Sequence, residues 1–315
     1  MAGKLTIRWR NDPQLSAIHA AYVVATNAFC VDRKTQQALV RPATDLNDRL
    51  LSAAIDVATF WEQLFAEHAI DPGNARACEI ALIAAGCSEL QLEQTAGAIA
   101  NCLGECRLAF QRRFPKLSEQ LELRSKPLKD RWNEAGLFLL SDIARQIWQD
   151  QPPDDWWPSR IDALLVQPMR GGDGNYDTES RKFWVEAVLT DIDPTVPEVL
   201  RVAWLLTQLA IEIQMREKSS ETVTGMPWAL GAVPLVLSAG AKAGMTTGSE
   251  LPIATALELW RLGDETTAGT IHQWWQEWQM SESPMPVALK ALDRMLKPAD
   301  DRPGSGINLT EFTDL

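Results

Sequence analysis

Four oxygen-bearing side chains are closely spaced in residues 173–179, and they are the best candidates for metal-binding chemistry. Asp173, Asn175 and Asp177 follow the D-x-N-x-D order that opens a calcium loop, and Glu179 stands two residues further on. Hard cations such as Ca²⁺ and Mg²⁺ take carboxylate and amide oxygens as ligands. The stretch therefore predicts a divalent-cation site, and a divalent cation is the one cofactor that the sequence suggests.

The same stretch departs from a calcium-binding EF-hand at two positions. Thr178 stands where that loop needs glycine, and Trp184 stands at the twelfth position, where it needs glutamate. Gly171, Gly172 and Gly174 supply the positive φ angles of a wide turn. A plain polar hairpin loop is therefore the simpler interpretation. A phosphate-binding loop is disfavoured, because "GGDG" lacks the Lys-Ser/Thr ending of that motif.

Glu186 is the candidate acid or base. It interrupts the apolar run "FWVEAVL" at 183–189, and burial raises the pKa of a carboxyl group towards that of a general acid. Combined with residues 173–179, it defines one hypothesis, a hydrolase that depends on a divalent metal. The alternatives are a position facing solvent and a buried pair with an arginine such as Arg201.

Established catalytic signatures are otherwise missing from the sequence. His19, His68 and His272 are far apart, and none has a zinc-type spacing. The chain has no convincing nucleophile elbow and no dinucleotide-binding glycine motif after a strand. These absences favour a binding protein over an enzyme.

Tryptophan is abundant, with 13 Trp against 2 Tyr. Trp274, Trp275 and Trp278 lie together in "HQWWQEWQM". At helical spacing Trp274 and Trp278 share one face, whereas Trp275 is turned about 100° away. Exposed tryptophans are frequent anchors of protein interfaces, so the three residues are predicted to bind a partner. The alternative is burial on two sides within a helical bundle.

The C-terminal segment is the second candidate partner-binding element. Leu309, Phe312 and Leu315 lie in "GINLTEFTDL", after a linker rich in Pro, Gly and Ser. An apolar and acidic segment of this kind can bind a partner as a helix or an added strand. A frayed terminus, or docking onto the body of the chain itself, is the alternative.

Composition narrows the partner class. The chain carries 30 Lys and Arg against 42 Asp and Glu, a net charge of −12, which argues against binding to nucleic acid or to an anionic membrane. Its five cysteines are scattered and odd in number, which predicts a reducing cytoplasm. We therefore expect a non-catalytic interaction or adaptor protein with another protein as partner. A third hypothesis is a small-molecule binder with a pocket lined by the uncharged segment 222–241.

Local patterns predict a mainly α fold with a small antiparallel β-hairpin or three-stranded sheet near the middle. Residues 1–150 are predicted to be mostly helical after a short first strand, "KLTIRWR", whose alternation places basic residues on one face and apolar residues on the other. Residues 45–69 predict one long amphipathic helix. Prolines within residues 150–159 predict a boundary between the two halves of the chain. Residues 159–297 are predicted to form the hairpin followed by helices, and residues 298–315 to form a flexible tail.

Overall fold

The computed structural model describes residues 5–70, 76–149, 152–218, 225–246, 248, 250–281 and 283–297. The predicted architecture, mainly α with a small sheet, is confirmed. The described strands are β1 (Thr6–Asn11), β2 (Arg160–Val166), β3 (Gly174–Asp177) and β4 (Lys182–Glu186). The described helices are α1 (Pro13–Ala25), α2 (Arg33–Ser52), α3 (Val57–Ile70), α4 (Arg76–Ala84), α5 (Glu89–Arg113), α6 (Leu117–Trp148), α7 (Glu198–Lys218), α8 (Trp228–Lys242), α9 (Ile253–Trp260), α10 (Glu265–Gln279) and α11 (Met285–Leu296).

Side-chain caps fix where several helices begin. Asp12 accepts a hydrogen bond from the backbone N–H of Leu15 at 2.8 Å, and Pro13 occupies the first helical position of α1. Such a cap satisfies an N–H group that has no partner inside the helix. The cap connects β1 directly to α1, so the carboxyl end of the strand and the start of the helix are held together.

The predicted single helix over 45–69 is two helices. Its chain leaves the helical conformation at Ala54, which has φ of 56°, and α3 restarts after Asp56. Asp56 accepts a hydrogen bond from the N–H of Thr59 at 2.6 Å. The cap competes with continuation of the helix, since Asp prefers caps to helix interiors.

The sheet has the strand order β1-β2-β4-β3 and is mixed. β1, β2 and β4 run parallel, and only β3 is antiparallel to its neighbour β4. The predicted antiparallel hairpin of β2 with β4 is therefore wrong. The glycine-rich connection does not turn back directly. The chain leaves β2, passes the carboxyl end of β4, and forms the edge strand β3 before it enters β4. β2 and β4 can therefore run parallel, because parallel neighbours need a long connection between them.

The two faces of the sheet differ in what covers them. One face, the covered face, packs on α6 and α7, where the hydroxyl group of Tyr176 donates to Glu212. The opposite face is covered by α1 and α3 at the carboxyl ends of the strands, where the Trp184 ring lies 4.9 Å from Phe65. Where these helices do not cover it, this face carries exposed charged side chains, and we call it the open face.

α8 takes up most of the uncharged segment and is buried in the core. A Cβ atom added at Gly231 would lie 2.4 Å from Leu289, and one added at Gly240 would lie 2.8 Å from Leu200. The helix therefore packs at backbone distance against its neighbours. Among the described residues, none of the helices is both long enough and apolar enough to cross a lipid bilayer.

Candidate functional site

Glu186 lies at the carboxyl end of β4, fully buried, and its carboxylate is surrounded by donors. Its Oε1 atom accepts hydrogen bonds from the backbone N–H groups of Met169 at 2.7 Å and Arg170 at 2.8 Å. The same atom lies 2.7 Å from Nε2 of His19. Its Oε2 atom accepts from the N–H of Gly172 at 2.7 Å. Glu186 therefore holds the 167–173 loop against α1.

These contacts reverse the expected effect of burial on Glu186. Burial raises the pKa of this carboxyl group, but the hydrogen bond and charge of His19 and the N–H groups of Met169 and Arg170 together lower it below its ordinary value. The expectation of a raised pKa is therefore wrong, and the group has no proton to donate near neutral pH. Arg201, the alternative partner, instead donates to Glu198.

His19 is the residue of this cluster whose role the sequence did not indicate. It is fully buried, with its ring centroid 5.3 Å from that of Phe65 and 5.0 Å from that of Trp184. Its Nδ1 atom has no hydrogen-bond partner among the described residues. The ring packs against aromatic side chains and orients Glu186.

Arg261 holds the other side of the same loop. Its guanidinium donates to the carbonyl oxygen of Gly172 at 2.8 Å and to that of Arg170 at 2.9 Å. It also lies 3.5 Å from Asp173, which accepts a second contact from Arg170 at 3.0 Å. Glu186 thus binds the N–H groups of the loop while Arg261 binds its carbonyl groups.

The predicted metal ligands lie in different surroundings. Asp173 pairs with the two arginines, whereas Asn175 and Asp177 are part of β3 and point to the open face. Asp177 accepts a hydrogen bond from the N–H of Ser180 at 2.6 Å, and Glu179 is exposed in the following turn. Within the described ranges, no three His, Cys, Asp or Glu side chains are placed to hold a metal ion. The metal site stays a prediction from the spacing.

The predicted partner-binding tryptophans are mostly inside the protein. Trp274 and Trp275 are 2% and 9% exposed, and Trp278 is half-buried. Trp274 donates to the carbonyl of Ala288 at 2.7 Å, and Trp278 to that of Ser283 at 2.9 Å. This arrangement is the two-sided burial given as the alternative. Leu309, Phe312 and Leu315 lie outside the described residues.

The open face carries a row of charged side chains that runs from β1 across the neighbouring strands. Arg8 makes a two-point ion pair with Asp162, and Arg10 adds a contact of 3.5 Å to the same carboxylate. Strand parity places Arg160 and Lys182 on this face as well. The hydrogen bond from Arg8, with the charges of Arg10 and Arg160, holds the pKa of Asp162 below its usual range.

Positive charge is in excess on this face. On the strands themselves four basic side chains stand against two acidic ones, Asp162 and Asp177, and the Asp12 carboxyl group at the end of β1 interacts with the charges of Arg10 and Lys182. Arg8 and Arg10 remain 42% and 51% exposed although both contact Asp162. Arg8 and Arg10 share the single carboxylate of Asp162, so the part of this face formed by β1 and β2 is locally basic in a chain of net charge −12.

A cleft of about 420 Å³ opens beside the row, between α3 and the sheet. The Tyr22 and Phe65 rings are stacked with centroids 5.4 Å apart, and Phe65 packs on Trp184. Burial and the nearby Glu62 carboxylate raise the pKa of Tyr22, so its hydroxyl stays protonated. We call this the aromatic cleft; its lining includes Tyr22, Glu62, Phe65, Asn175, Lys182 and Trp184.

The open face was partly visible in the sequence. The alternation of "KLTIRWR" predicted that Arg8 and Arg10 share one side of the first strand, and they do. Its neighbours Arg160 and Lys182 were not predicted, because the pairing of β1 with β2 and of β2 with β4 joins distant segments.

Comparison of the chain with protein-family models, with curated proteins and with solved structures finds no match.

Proposed function

We propose that the protein is a non-catalytic binding protein, and that its partner is another protein with an acidic segment. The observation that supports this proposal is the locally basic open face beside the aromatic cleft. Complementary charge steers association and fixes orientation, and a desolvated aromatic pocket provides an anchor. The face has both features within one surface.

The proposal moves the binding surface away from the tryptophans of α10. Trp274 and Trp275 have too little exposed area to form an interface, because interface anchors must be reachable by the partner. The C-terminal segment 298–315 remains a second proposed contact. The hydrolase hypothesis finds less support in the geometry, since the lone pairs of Glu186 are directed at His19 and the loop.

A small anionic ligand is the second candidate. The aromatic cleft has a volume of about 420 Å³, within the range that binds drug-sized molecules. Lys182 lines the cleft with its positive charge, and Tyr22 lines it with a hydroxyl group that can form a hydrogen bond. This site replaces the predicted pocket at 222–241, whose described part is packed in the core as α8.

The test uses a short peptide of glutamate and glycine with one central phenylalanine, titrated into the protein by calorimetry. We expect binding that weakens as salt is raised. The variant Arg10→Glu with Arg160→Glu should weaken binding at least about tenfold, while the Arg8–Asp162 pair that joins β1 to β2 stays intact.

The matched control reverses two exposed arginines elsewhere, Arg41→Glu with Arg49→Glu on α2. The net charge change is the same, but α2 packs mainly on α1, α3 and α5. Equal loss in both variants would mean that only overall charge matters, and the proposal would be wrong. Absence of binding to the unaltered protein would also overturn it.

A further inference from the structure

The two edges of the sheet are finished in different ways. At the β3 edge, Gly174 and Tyr176 direct their backbone groups away from β4, because the bond from the N–H of Glu186 to the carbonyl of Asp173 fixes the alternation. Both outward N–H groups are already bonded. Gly174 donates to the side chain of Asp173 at 2.9 Å, and Tyr176 to that of Asn175 at 2.8 Å. This edge is closed to another strand.

The β1 edge is not closed in this way. The N–H groups of Thr6 and Asp12 bond to β2, so the even-numbered residues face inward and Ile7, Trp9 and Asn11 face outward. Among the described residues, no strand pairs with this outer edge. β1 also has six residues and contains no proline. Among the described residues, it has no proline and no capped outward amide to stop strand addition; its exposed arginines repel a basic strand but not an acidic one.

Side chains on the two sides of β1 specify what could lie beside it. Arg8 and Arg10 project to the open face, whereas Ile7 and Trp9 are half-buried on the covered face. A strand added at this edge would alternate in the same way, because successive side chains point to opposite faces. Acidic residues at every second position would meet the arginines, and apolar residues between them would meet Ile7 and Trp9.

We infer that the outer edge of β1 binds an extended partner segment of alternating acidic and apolar residues as a fifth strand of the sheet. The inference rests on the proposed function and names its partner segment. Backbone hydrogen bonds to Ile7 and Trp9 hold the segment, and its carboxylates meet the exposed guanidinium groups of Arg8 and Arg10. The occupant is a segment of a different protein.

The probe is a synthetic peptide of alternating glutamate and valine, with two derivatives N-methylated at one or the other alternate set of amides. Successive N–H groups of a strand point to opposite sides, so only one of the two alternate sets of peptide amides can face β1, whether the peptide binds parallel or antiparallel. We expect one derivative to lose at least about tenfold in affinity, and the other to bind within about twofold of the parent. A scrambled peptide of the same composition should bind more weakly than the parent.

The protein supplies an independent readout through amide hydrogen exchange. Binding should slow exchange at Ile7 and Trp9, whose N–H groups point outward. Exchange at Arg8 and Arg10 should not change, because those amides already bond to β2. The variant Ile7→Pro removes one outward donor and leaves the β1–β2 ladder intact, so it should reduce binding at least about fivefold.

The outcomes separate this inference from the proposed function. Equal binding of both N-methylated peptides, still sensitive to Arg10→Glu with Arg160→Glu, would leave the acidic partner in place and overturn strand addition. If no acidic peptide binds, both proposals are wrong. If a peptide of residues 306–315 binds this edge more tightly than the alternating peptide, the occupant is this chain's own segment and the inference is overturned.

Discussion

Glu186→Gln tests whether the buried carboxylate is the main support of the 167–173 loop. Glutamine is almost the same size, so the change removes charge without opening a cavity. The amide oxygen can replace Oε1 and accept from His19, Met169 and Arg170, but the amide nitrogen then faces the N–H of Gly172. Two donors oppose each other there, and one buried N–H loses its acceptor.

The expected cost follows from the number of charge-assisted bonds. A hydrogen bond to a charged group contributes about 1.5–3 kcal/mol, and leaving a buried N–H without its acceptor costs about 1–3 kcal/mol. We expect Glu186→Gln to lower the free energy of unfolding by about 3–5 kcal/mol. Urea unfolding at neutral pH, followed by circular dichroism and tryptophan fluorescence, measures this difference. The matched control is Glu179→Gln, the same change at an exposed position, with an expected effect within about 0.5 kcal/mol.

The dependence on pH gives a second check with a defined sign. The folded pKa of Glu186 is lowered, so its stabilisation is fully present above the unfolded pKa, about 4.3, and is lost as the pH falls through the folded pKa. The difference between the protein and Glu186→Gln should therefore shrink in acid, as the Glu186 carboxylate takes up a proton. A cost below about 1 kcal/mol at neutral pH, or a difference that grows in acid, would refute the reasoning.

Three further predictions concern the loop, the core and the thiols. Arg261→Ala removes two bonds to loop carbonyls and should lower the free energy of unfolding by about 2–4 kcal/mol in urea; an unchanged midpoint would contradict this support. Gly231→Ala places a Cβ atom 2.4 Å from Leu289 and should cost about 1–3 kcal/mol by the same measurement, whereas Gly97→Ala, which meets nothing within 4 Å, should not destabilise α5. Burial raises the pKa of Cys78 to about 11 and of Cys106 to about 12, so iodoacetamide at pH 8 should leave both unmodified in the folded protein; labelling of Cys106 at the rate of half-buried Cys87, read by mass spectrometry, would contradict the burial.

Local features of this fold were predictable because their causes are local. Asp12 followed by Pro13 is a sequence pattern typical of a helix start, and α1 begins there with the Asp12 cap. The alternation of "KLTIRWR" predicted a strand, which is β1. The break at Ala54 was missed, because the apolar spacing of residues 45–69 continues through it while the Asp56 cap competes with the helix.

Long-range features were not predictable from these patterns. His19 and Glu186 are 167 positions apart, and Arg8 and Asp162 are 154 apart, so no local spacing relates either pair. β2 and β4 can be parallel only because the chain between them forms β3 at the far edge of the sheet. The glycine-rich residues 171–174 suggested a simple turn instead, so β3 was not predicted. Helical spacing placed Trp274 and Trp275 on two faces, but only the packing of neighbouring helices decided that both are buried.

The unequal edges of the sheet also limit how copies of this chain can associate. Growth of a sheet from molecule to molecule needs two open edges on each, one to receive a strand and one to offer. Here Asp173 and Asn175 occupy the amides of the β3 edge, so only β1 can pair. Two copies could therefore join only β1 to β1, which closes the assembly at a dimer, and that pairing would bring Arg8 and Arg10 of both copies together. Pairing through the described strand edges therefore ends at two copies and does not build an open-ended fibre.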